Sequence, residues 1–132
     1  MKYTKTALKE ALKEVASTIL KCERAQLKFR EGSSQYSLLR NRIKAMVLSK
    51  GLIEEALKSS DPDNTEEKDQ AHLFSEVELS QALEPVLSII RKCEKALVKF
   101  EPGNVNHKRF SKIIEPMRIC QNLIEDKIQL LE

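Results

Sequence analysis

Between residues 8 and 29 the chain repeats a stripe at alternating intervals of four and three. Leu8, Leu12, Val15, Ile19, Cys22, Gln26 and Phe29 occupy it, a spacing that keeps one face of an α-helix apolar. A second stripe follows, through Leu39, Ile43, Met46, Ile53 and Leu57. Between them, Gly32 sits where a left-handed helix terminus is wanted. Ser33 or Ser34 can cap the next helix. The pattern predicts an αα-hairpin with helices over about 5–30 and 34–58.

The same unit occurs twice. Residues 8–57 align without a gap on 79–128, identical at 18 of 50 positions. The strongest stretch sets Ile19, Lys21, Cys22, Glu23, Ala25, Lys28, Phe29 and Gly32 against Ile90, Lys92, Cys93, Glu94, Ala96, Lys99, Phe100 and Gly103. Met46 and Met117 match further on, as do Leu52-Ile53-Glu54 and Leu123-Ile124-Glu125. This period exceeds that of solenoid arrays, so it marks one duplicated hairpin. The second copy predicts helices over about 75–100 and 105–131, with Asn104 or Asn106 as the inner cap. Ser75-x-x-Glu78 has the form of a capping box. Residues 59–74 are polar and acidic and read as a linker.

Neither stripe pair can be buried within its own hairpin, so each hairpin supplies the other's missing half. The expectation is all-α: one domain, an antiparallel up-down-up-down four-helix bundle with pseudo-twofold symmetry. Pro85 and Pro116 interrupt the second copy's helices where the first has Glu14 and Ala45. Each is expected to kink its helix, since the stripe keeps its register through Pro85. A separate short helix over 75–83 is the alternative at Pro85.

Composition agrees with this pattern. Ala, Glu, Lys, Leu and Arg make up 49% of the 132 residues, with three Gly and no Trp, as in long helices. The N-terminal segment lacks the apolar core of a signal peptide, and no run approaches the roughly 20 apolar residues of a membrane span. Three cysteines without a CxxC pair fit a reducing compartment. A cytoplasmic protein without membrane insertion is expected.

Catalytic chemistry finds no foothold in the sequence. Cys22 and Cys93 lie on the apolar stripes and read as small buried hydrophobes, and Cys120 adds no ligand spacing. His72 falls in the linker and His107 near a helix start. No Glu-x-x-His pair, Gly-rich phosphate loop, HExxH or GxSxG is present. The chain is therefore expected to be no enzyme, with no cofactor, no metal and no small-molecule substrate.

Two surfaces remain. Leu20, Leu27, Leu38 and Leu48 fall off the main stripes, where the second copy has Arg91, Val98, Arg109 and Ile119. They form a candidate partner surface for another protein or a second copy of the chain. Lys21, Arg24, Lys28, Arg40, Arg42 and Lys44 form a candidate basic patch. Residues 1–57 carry 12 basic and 6 acidic groups, 58–76 carry 2 and 6, and 77–132 carry 9 and 8. Interleaved acids and the lack of a stacking platform make nucleic acid the lesser expectation. In size, charge and fold class the chain is similar to bacterial immunity proteins against bacteriocins, which are small cytoplasmic four-helix bundles. That similarity is an analogy of fold.

Overall fold

A computed structural model describes residues 3–59 and 74–131. It contains four helices: α1 (Lys5–Gln26), α2 (Ser34–Ser59), α3 (Glu76–Lys99) and α4 (Val105–Leu131). No strand is present among the described residues, so the all-α class stands. Ser59 ends α2 and Phe74 packs against the core. The remainder of the expected linker, residues 60–73, lies outside the described residues.

Each helix starts where a side chain can satisfy its free N–H groups. Thr4 Oγ1 accepts from Ala7 N at 3.0 Å. Of the alternatives for α2 and α4, Ser33 and Asn104 act: Ser33 Oγ accepts from Tyr36 N at 3.1 Å, and Asn104 Oδ1 from Asn106 N at 2.8 Å. Ser75 and Glu78 close the capping box from both sides, at 3.1 and 3.0 Å.

α1 ends four residues earlier than the stripe suggests. Beyond Gln26 the chain tightens into three-residue turns, Lys28 N to Ala25 O and Phe29 N to Gln26 O, both 3.1 Å. Leu27 is 87% exposed and Phe29 40%, so burial does not draw this last turn onto a helical face. Both stop glycines take positive φ, +89° at Gly32 and +96° at Gly103. Pro85 and Pro116 both lie inside continuous helices, so α3 does not split into two. Each proline leaves the carbonyl four residues earlier, Gln81 and Lys112, without its helical partner.

α1 packs most extensively on α2 and α3 on α4, and the two pairs meet through α2 with α3 and α1 with α4. Burial follows the repeat almost position by position. Leu8 and Leu79, Val15 and Val86, Met46 and Met117, and Ile53 and Ile124 are all at most 1% exposed. Ser49 and Cys120, one repeat apart, are both fully buried. Two polar bridges tie the pairs together: Tyr3 Oη with Asn122 Nδ2, and Glu55 Oε1 with Lys127 Nζ, each 2.6 Å.

Gly32 and Gly103 have open space where a Cβ would stand, so alanine there meets backbone strain alone. Gly32→Ala and Gly103→Ala are each expected to cost about 1–2 kcal/mol, read as a lowered urea midpoint with an unchanged m-value.

Candidate functional site

Leu20 lies on α1 and Leu27 is the residue that caps its C-terminus; Leu27 keeps right-handed helical dihedrals (φ −62°, ψ −18°), so the two, seven residues apart, point to the same outer side. They are 54% and 87% exposed. Arg24 lies between them on the same side and is also exposed. Leu38, at 47%, belongs to the first turns of α2. Leu48 is different: it is 6% exposed and belongs to the core cluster. The buried arc of α2 is wider than a two-position seam, and it takes in Leu48 just as α4 takes in Ile119. Leu48 is therefore removed from the candidate surface.

Five of the basic candidates, Lys21, Arg24, Lys28, Arg40 and Lys44, are exposed. Arg42 departs from the patch. It occupies the position of Ile113 in the second copy and turns inward, and its Nε and Nη2 are buried without a hydrogen-bond partner among the described residues. None of the six forms an ion pair with a described residue, whereas Arg91 pairs with Glu84 at 2.6 Å and Arg118 with Glu94 at 2.7 Å. Arg118 stands where the first copy has Val47, so Glu23 has no equivalent of the Glu94 pair.

The thiols lie inside. Cys22 and Cys93 are 7% and 5% exposed. Burial raises both thiol pKa values, against a smaller opposite pull from the Arg42 guanidinium. Cys120 is fully enclosed, and burial pushes it up to about 12, only weakly countered by the neighbouring Ser49 hydroxyl. The neutral thiol is a poor nucleophile. Ser49 Oγ has no hydrogen bond of ordinary geometry, so its polar neighbour is this weakly accepting sulfur.

His107 is half-buried in the first turn of α4, and His72 lies outside the described residues. Among the described residues no three His, Cys, Asp or Glu side chains converge as metal ligands. A shallow depression of about 90 Å³ runs beside the Glu55–Lys127 bridge, lined by Leu52, Ala56 and Leu123. That is below the roughly 300 Å³ at which ligand pockets begin. Sequence reasoning missed the inward turn of Arg42. The signal for it was the isoleucine at the equivalent position of the second copy. The chain matches no protein family, no curated protein and no solved structure.

Arg42→Ile imports the second copy's residue and removes buried N–H groups that lack partners. It is expected to raise the unfolding free energy by about 1–3 kcal/mol, measured in urea. The raised Cys120 pKa has a defined sign. Its contribution to stability is complete below pH 9.0 and is lost as pH rises from there towards about 12. Cys120→Ala should therefore flatten the alkaline fall of stability, by up to about 1.4 kcal/mol per pH unit, in unfolding curves compared between the two proteins.

Proposed function

We propose that this protein is a non-enzymatic interaction module of the cytoplasm. In this reading it is an antiparallel, up-down-up-down bundle of two duplicated hairpins related by a pseudo-twofold axis. The matched burial of the two copies supports the duplication. The bridges from Glu55 to Lys127 and from Tyr3 to Asn122 support the antiparallel order, since they gather the start of α1 with the ends of α2 and α4.

The observation that carries the functional reading is the outer face of α1. Leu20 and Leu27 are exposed there beside Arg24, and no described carboxylate pairs with Arg24. In the second copy the residue equivalent to Leu20 is Arg91, solvated and paired to Glu84. Solvation alone would give both copies the same polar outer face. An apolar pair flanked by an uncompensated cation matches the make-up of a recognition surface. The partner is another protein with a complementary acidic rim, or a second copy of this chain.

Leu20→Asp with Leu27→Asp tests this face. Both side chains are exposed, so each change should alter stability by no more than about 0.5 kcal/mol and leave the helical circular dichroism intact. The double variant is expected to lose the partner captured by the wild type, or the dimer seen by analytical ultracentrifugation. A variant that unfolds would place the leucines in the core instead. A folded variant that keeps every interaction would show that the face is only solvated.

A further inference from the structure

Charge is segregated along the bundle, in a division that cuts across the two copies. The turn-side halves of the hairpins, residues 20–44 and 91–115, each hold seven Lys or Arg, against two and three Glu, a net +9. The chain as a whole is +3, so the other residues sum to −6. In the antiparallel arrangement proposed above, on which this inference rests, both halves lie at the same end.

That end is also apolar. Around the first turn Leu27 is 87% exposed, Phe29 40% and Leu38 47%, and around the second Val98 is 86% and Val105 79%. Lys28, Arg30, Lys99, Lys108 and Arg109 are exposed among them, and none forms an ion pair with a described residue. Phe100 stacks on Phe110 with ring centroids 6.1 Å apart, which braces the second turn. Nearby, desolvation chiefly, and the Arg42 guanidinium to a lesser degree, lower the Lys92 pKa from its ordinary value.

We propose that this end docks on an anionic lipid bilayer as a peripheral contact. Its cations would meet the headgroup phosphates and carboxylates, and the aliphatic side chains of both turns would enter the interface. No described helix is long and apolar enough to cross a membrane, so the contact is interfacial. A nucleic acid would satisfy the cations but leave Leu27, Val98 and Val105 in water. A single strand would also need a row of aromatic faces for stacking, and of the phenylalanines at this end Phe100 and Phe110 are stacked on each other, leaving Phe29. The bilayer accounts for charge and aliphatic exposure together.

The test is co-sedimentation with vesicles of about 30 mol% phosphatidylserine in phosphatidylcholine, against pure phosphatidylcholine, in about 0.1 M salt. The protein is expected to sediment with the anionic vesicles alone and to be released at high salt. Val98→Ser with Val105→Ser, both outside the α1 face, should weaken binding about tenfold. Lys28→Gln and Lys99→Gln should each weaken it about fivefold. Absence of binding, or equal binding to both vesicles, would overturn the proposal. So would full binding by the serine variant, together with equal retention of duplex DNA by both proteins, because charge alone would then suffice. Nitroxide labels on Glu31→Cys and Glu101→Cys check the arrangement separately. A spacing under about 20 Å places the turns together, and one above about 30 Å sets them at opposite ends. Distant labels refute the antiparallel order, whereas close labels without vesicle binding refute only the docking.

Discussion

Everything in this fold depends on burying two equivalent apolar stripes against each other. A lone helix pair would leave one side of its stripe in water, at about 25 cal/mol for each Å² of apolar surface. The two pairs remove that cost mutually. Met46, Ile53, Met117 and Ile124 all disappear from solvent, and the residues one repeat apart, Ser49 and Cys120, come to face each other. Helix capping, the stop glycines and the exposed polar faces are local devices that deliver the stripes to this contact.

Against that shared constraint the two repeats differ where the core permits. Pro85 and Pro116 sit within continuous helices although each interrupts the backbone ladder, so packing on both sides outweighs a cost of about 3 kcal/mol for each. Arg42 is the opposite case. It places guanidinium N–H groups without partners where the second copy has an isoleucine. Such a residue lowers stability without serving the core, which makes it the clearest departure from the repeat on the inner side of the fold. On the outer side, Leu20 against Arg91 and Val47 against Arg118 give one copy apolar exposure and the other ion pairs.

The same packing encloses the cysteines. All three thiols are buried and shifted towards the neutral form. Exposed charge and exposed hydrocarbon lie instead on the outer face of α1 and around the two turns.

By itself, the sequence determined the element types, the repeated pattern and most of the core. Periodicity and capping are local: the 4,3 spacing, Ser75-x-x-Glu78, Gly32 and Gly103 each act within a few residues, and their consequences could be read there. The tertiary structure decided what depends on neighbours distant in the chain. Leu48 reads as surface by its stripe position and is buried, because the contact on α2 spans a wider arc than one seam. Phe29 reads as core and is 40% exposed, because α1 stops at Gln26. Counting charge along the chain assigns the excess to the first copy. Packing α2 on α3 and α1 on α4 brings together residues far apart in the chain, which no count along the sequence specifies.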